Sequence, residues 1–205
     1  MSSVESPARS GGSLRDRARD AIRDEVLTRA WLLFAEQGFA ATTIEQVAEA
    51  AGMSRRTFFR YFSGKDELVS ARLLASGDQL AAALDARPDS ELAWPALRAA
   101  FDALVADVEQ HEDIARPLHV MLEQEHEVRA AAHERVRRWL ELLEPLVARR
   151  LGRTDPAARI DVRARALIGS AIACFDAAQL AWVANPGSRL GPLVDEAMQA
   201  VAPIR

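Results

Sequence analysis

The 205-residue sequence predicts an all-α fold in two parts, and three observations carry that prediction. Apolar residues recur at three- and four-residue intervals through most of the chain, which is the helical period. Pro and Gly are sparse, at 9 and 10 residues, and no alternation of apolar and polar residues marks a strand. Residues 42–68 are laid out as a helix, a tight turn, a second short helix and the start of a third. A hydrophobic content of 49% against 27% charged residues supplies a core and excludes global disorder. The single cysteine, Cys174, excludes an internal disulfide.

In order, residues 1–14 are rich in Ser, Gly and Pro and are expected to form a disordered arm. Arg9, Arg15, Arg17, Arg19 and Arg23 make this end basic, interspersed with Asp. Such an arm either follows phosphates or a minor groove, or is a solvated helix start. The first firm helix spans about 20–37, with Ile22, Val26, Ala30, Leu33 and Phe34 as its buried stripe; Gly38 stops it and Phe39 packs back. It is expected to brace the two short helices that come next. Thr42 or Thr43 caps the first of these, each with Glu45 or Gln46 three residues on, the capping-box spacing. Ile44, Val47, Ala48 and Ala51 form its apolar face, and Gly52 ends it where a left-handed residue is needed. Ser54 caps a short helix carrying Arg55, Arg56, Thr57, Phe59, Arg60 and Tyr61, with Phe58 and Phe62 spaced four apart for the core. Ser63 is expected to cap the helix after it, which runs to about residue 85 through Leu68, Leu73, Leu74, Leu80 and Leu84. Gly77, inside that helix, reads as a close-packing site.

Residues 87–90 are a break. A helix then runs from about Trp94 to residue 110, followed by a short segment, 112–124, interrupted by Pro117. A long helix at 127–150 should kink or break at Pro145. The most apolar helix spans 157–184, with Gly169 and Ser170 permitting close approach; Asn185, Pro186 and Gly187 stop it before a last helix at 190–201. A helix that is apolar nearly all round needs two partners.

Helix, turn and helix in this layout form the unit that enters the DNA major groove by the N-terminal end of its second helix. Residues 54–62 hold three arginines and no acid, and the arginine fork suits both phosphate and the guanine edge. A helical hairpin with a solvated basic face has the same spacing. The net charge of −4 gives no global attraction to nucleic acid, and the first seventy residues hold ten basic and ten acidic groups, so binding must rest on a local patch.

At these residues the chain resembles the TetR family of bacterial transcription regulators. The matching run is Thr42-Thr43, Val47-Ala48, Ala51-Gly52-Met53-Ser54, Thr57-Phe58-Phe59, Tyr61-Phe62 and Lys65-Asp66-Glu67-Leu68. Phe59 stands where the family most often has Tyr, so a phosphate contact should be missing; Arg56 stands where Gly or Pro is common and adds a candidate for base reading. Lys65 is the one lysine of the chain and falls at the family's phosphate-contacting position.

The resemblance implies a DNA-binding domain at 15–66 and an effector-binding and dimerisation domain at 67–205. Its implied DNA residues are Thr43, Ser54, Arg55, Arg56, Thr57, Phe59, Arg60, Tyr61 and Lys65, with Arg55 and Arg56 reading bases and Thr43, Tyr61 and Lys65 on phosphates. The helices at 157–184 and 190–201 are expected to build a homodimer. The implied partners are a double-stranded DNA operator and a small apolar or amphipathic effector. The run 54–62 resembles the subset of the family linked to acyl-CoA-like ligands. Leu74, Trp94, Phe101, His119, Met121, Cys174, Phe175 and Gln179 are the expected pocket residues, with Arg72, Arg98, Arg137 and Arg138 as cations for an anionic head.

A small helical enzyme or metal-binding protein is the competing reading. His119, Glu123 and His126 have the spacing of a metal-binding helix face, or are a solvated polar segment. Cys174 reads as a buried small side chain, with a redox thiol as the alternative. No nucleophile elbow, P-loop or dinucleotide-binding glycine run is present, so neither catalysis nor a cofactor is implied. The polar N-terminus lacks a signal-peptide core and no stretch has ~18 uninterrupted apolar residues, so a cytoplasmic protein with no membrane partner is expected.

Overall fold

Two separate apolar cores organise the ten helices found among the described residues. A computed structural model of the chain describes residues 13–124, 129–152 and 160–204. The expected disordered arm lies outside the described residues except at its end. There Ser13 caps α1 (Leu14–Gln37) in a capping box with Asp16, so the helix starts six residues earlier than its apolar stripe suggested.

Three helices and the start of a fourth form the head: α1, α2 (Ile44–Ala50), α3 (Arg55–Phe58) and α4 (Lys65–Asp85). Thr43 makes the capping box with Gln46, while Thr42 is buried and its hydroxyl donates to the Gly38 carbonyl at 2.7 Å. Gly38 (φ 85°) and Gly52 (φ 66°) take the positive φ that a side chain disfavours. Ser54 caps α3 by accepting from the Thr57 amide at 3.1 Å. Ser63 does not cap α4: Gly64 holds that position without a side-chain bond, and the Ser63 amide and hydroxyl both donate to Glu67, at 2.7 and 2.9 Å. The head core joins Val26, Ala30, Phe34, Phe39, Val47, Ala48, Phe58 and Phe62 to Leu68 and Val69 of α4, and is completed by Leu118 and Met121 from far along the chain.

The body comprises α5 (Ala93–Ala100), α6 (Asp102–Gln110), α7 (Glu112–Gln124), α8 (Arg129–Arg150), α9 (Val162–Ala184) and α10 (Leu190–Val201), packed on the remainder of α4. The single helix expected up to residue 110 is two, parted at Phe101, whose amide bonds both the Leu97 and Arg98 carbonyls. Pro117 and Pro145 sit inside continuous helices, not at breaks. Helix α9 starts at Val162, capped by Asp161, rather than near 157. By length and composition α9 could cross a membrane, but its Ala164, Ile168, Ile172 and Phe175 side is buried in the body core. Helices α4 and α8 cross where α4 has Gly77: a Cβ there would meet Trp139 Cδ1 at 2.6 Å. Gly169 is different, because among the described residues no atom beyond its own helix backbone and chain neighbours lies within 4 Å of where its Cβ would be.

Candidate DNA interface and effector cavity

The outer edge of the head is built by α3 and its two flanking turns. Arg56 and Arg60 are exposed and make no ion pair among the described residues, as is also true of Arg15, Arg17 and Arg19 on the first turns of α1. Arg55 is held instead, pairing with Glu45 of α2 at 3.1 Å and lying 5.5 Å from the centroid of the half-exposed Phe59 ring. Arg60 sits 6.0 Å from the Tyr61 ring. The Ser54 and Thr57 hydroxyls bond one another at 2.9 Å, and the Thr43 hydroxyl bonds Gln46 at 3.2 Å, so all three are oriented by the caps. Lys65 points inward: its Nζ donates to the Phe39 carbonyl at 2.7 Å. Arg23 lies over the Phe62 ring, donates to the Tyr61 carbonyl and pairs with Glu67 at 3.3 Å, tying α1 to the end of the α3 turn and to α4. Partial burial raises the Glu67 pKa, but the Ser63 hydrogen bonds and Arg23 outweigh it and hold the carboxyl below the ordinary glutamate range.

Between head and body lies a cavity of about 580 Å³, walled by α1, α4, α6, α7, α8 and α9. Of the expected pocket residues, His119, Phe175 and Gln179 line it; Leu74, Trp94, Phe101, Met121 and Cys174 do not. Trp94 is buried in the body core and its indole donates to the Ala202 carbonyl at 3.0 Å. Phe101 stacks behind Phe175 at 4.7 Å between centroids. Met121 belongs to the head core, and Cys174 faces α10, its thiol donating to the Ala197 carbonyl at 3.4 Å. Burial pushes the Cys174 thiol pKa up, which disfavours the thiolate a redox sensor needs.

Sequence reasoning missed the α1 wall: Leu27, Thr28, Trp31 and Leu32 all line the cavity. The signal was there, since Leu27 and Trp31 are apolar, four apart, and outside the stripe read for α1 from its sequence, although both also pack against the head core. Several polar groups on the wall are matched in pairs. His119 Nδ1 faces the Ala115 carbonyl at 2.8 Å, which accepts, so Nε2 receives the Gln179 amide at 2.6 Å. Arg135 pairs with Asp176 at 2.7 Å and lies 5.0 Å from the Trp139 ring; Arg72 pairs with Asp107 at 3.0 Å. Among the described residues no group of three His, Cys, Asp or Glu could hold a metal. The proposed triad of His119, Glu123 and His126 falls partly outside them, because His126 and the Glu123 side chain are not described.

Residues 26–71 match the family model for bacterial regulatory proteins of the tetR family, and residues 91–204 match that of the MftR C-terminal domain. The HTH-type transcriptional regulator TcmR of Streptomyces glaucescens is 38% identical over 102 residues, covering 50% of this chain and 45% of TcmR, so the match spans less than half of that relative. The putative mycofactocin biosynthesis regulator MftR of Mycobacterium tuberculosis is 28% identical over 144 residues, 70% of this chain and 73% of MftR. Thermus thermophilus FadR, a repressor solved with lauroyl-CoA, superposes with a TM-score of 0.56 at 24% identity, covering 87% of this chain and 92% of FadR.

Proposed function

Since the chain belongs to the TetR family of bacterial transcription regulators, we propose that it is a homodimeric repressor released from its operator when a small apolar or amphipathic effector fills the cavity between head and body. The observation that carries this reading is the shared wall: Leu27, Thr28, Trp31 and Leu32 of the DNA-binding head line the same space as Gln179 of α9. A ligand shifts an equilibrium only by its difference in affinity between two states. A ligand touching α1 and α9 together has such a difference whenever the head moves relative to the body.

Base reading falls to Arg56 in this proposal, since Arg55 is committed to Glu45; Arg60 and Tyr61 face phosphates, with Arg15, Arg17 and Arg19 extending the basic edge along α1. The second copy docks on α9, where Ala166, Ala173, Ala177, Leu180 and Ala184 are exposed along one side and a Cβ at Gly169 would meet no other helix among the described residues. Two heads then stand about one DNA turn apart, ~34 Å or a multiple of it, and the operator is a pseudo-palindrome. Repressor action follows the description of Thermus thermophilus FadR. The lauroyl-CoA bound there supports an acyl-like tail in the effector here. The relatives are regulators rather than enzymes, and we place the protein with them in the cytoplasm.

The test is operator selection from random duplexes followed by anisotropy. A palindromic consensus, bound with strong salt dependence and released by a cavity ligand, is the expected result. Binding that Arg56→Ala weakens equally on operator and random DNA removes the base-reading role, and indifference of the complex to every ligand that enters the cavity removes the switch.

A further inference from the structure

The cavity wall is apolar, but its charges do not suit an anionic ligand, and this inference rests on the effector reading above. Only two arginines line the space among the described residues, and each is already neutralised, Arg72 by Asp107 and Arg135 by Asp176. The other cations that would serve an acidic head are matched too: Arg98 by Asp102 and Asp195, Arg137 by Glu134 and Glu141, and Arg138 by Asp78. An anion entering here loses its hydration and meets two carboxylates together with two guanidiniums, so the attraction that should offset desolvation is cancelled.

What the wall offers instead is matched donors and acceptors at one place. The Arg135 side chain is 13% exposed, and its Nε has no hydrogen-bond partner among the described residues. Asp176, on the neighbouring helix, is 40% exposed and accepts from Arg135 through one oxygen. An ionised carboxylate has about four acceptor sites, so most of its capacity is left. One helical turn further along α9, Gln179 meets His119. A hydroxyl or carboxamide both donates and accepts, and so bonds such a pair without disrupting it. Trp31, Trp139 and Phe175 on the surrounding wall suit the apolar remainder. A volume of about 580 Å³ lies inside the ordinary range for small-molecule sites.

We propose that the cavity takes an uncharged amphipath, its hydroxyl- or amide-bearing head seated on the Arg135–Asp176 pair, and discriminates against fatty acids and acyl-CoA thioesters. The experiment is calorimetric titration of the full chain with three probes sharing one tail: glycerol monolaurate, laurate and lauroyl-CoA, each below its micelle-forming concentration. Monolaurate is expected to bind at least tenfold more tightly than either anion. Asp176→Asn, which unmasks the Arg135 charge and removes part of the seat for the uncharged head, should raise laurate affinity at least tenfold and lower monolaurate affinity, so that the selectivity narrows or reverses. Asp107→Asn, at a half-exposed site beside Arg72, should act in the same direction and serves if the first variant does not fold. Laurate or lauroyl-CoA binding as tightly as monolaurate overturns the proposal, and so does monolaurate that fails to bind. Operator release, followed in parallel, separates this inference from the reading beneath it. Selective monolaurate binding without release supports the charge selectivity and sinks the switch. Release by the anions at lower concentration than by monolaurate overturns the selectivity and keeps the switch.

Discussion

The Lys65 ammonium lies 4.5 Å from the centroid of the Phe39 ring and donates to the carbonyl of the same residue, clamping the start of α4 onto the turn between α1 and α2. Two of its three N–H groups remain for a phosphate. Lys65→Ala should therefore do two things. It should cost on the order of 1–2 kcal/mol of stability, from loss of a charge-assisted bond. It should also weaken binding to all DNA sequences and reduce the salt slope by about one. Lost stability with an unchanged slope, in urea melts and salt titrations, makes the residue a turn clamp alone.

Gly77→Ala tests the crossing of α4 and α8. Ala is the better helix former by ~1 kcal/mol. The added Cβ would meet Trp139 Cδ1 at 2.6 Å, however, and the ring is buried against Phe101 and Phe175. Overpacking of this kind costs ~1–3 kcal/mol, so the net effect should be destabilising. Because Trp139 also lines the cavity, effector affinity should fall with it. An equal or higher urea midpoint would contradict the packing argument.

Two substitutions on α9 separate its faces. Ala177 is exposed, and Ala177→Asp should leave a folded chain that sediments as a monomer at micromolar concentration. Ile172 is 3% exposed and packs in the body core, so Ile172→Asp buries an unpaired charge and should prevent folding rather than split a dimer. Burial thus puts Ile172 on the inward side of α9. A dimer that persists in Ala177→Asp moves the interface elsewhere.

Glu67 should make the head acid-sensitive. Its folded pKa lies below the unfolded value, so its contribution is complete at neutral pH and is lost as pH falls through the folded pKa. Glu67→Gln should cost on the order of 1 kcal/mol at pH 7, discounted for solvent screening. The gap between the two proteins should close as pH falls below the ordinary glutamate range. Urea midpoints at pH 7 and near pH 3.5 measure it, and a gap constant in pH would remove Glu67 as the titrating group.

The head was legible in the sequence because its signals are local. Thr43 with Gln46, Ser54 with Thr57, and Gly38 and Gly52 at positive φ each act within three or four residues of themselves. Errors arose where a local signal was overridden. Pro117 and Pro145 each lose one helical bond, yet packing carries α7 and α8 through them. Phe101 parts α5 from α6 while its neighbours keep the helical period. The cavity was the least legible feature. Apolarity says that Trp94, Phe101 and Cys174 are inside but not which of them meets a void, whereas Phe175 and Trp31 do. That distinction depends on how six helices fail to fill the space between them.

Helix α7 sends Leu118 and Met121 into the head core while Arg116 holds the Trp182 carbonyl and lies 4.1 Å from the Trp182 ring at the end of α9. The head is thus not a detachable module. A chimera that joins the first four helices to a foreign effector domain would leave the Trp31, Phe34 and Phe39 side of the head core without Leu118 and Met121. Exchange of sensing domains with a relative must either carry α7 along or redesign the surface it covers.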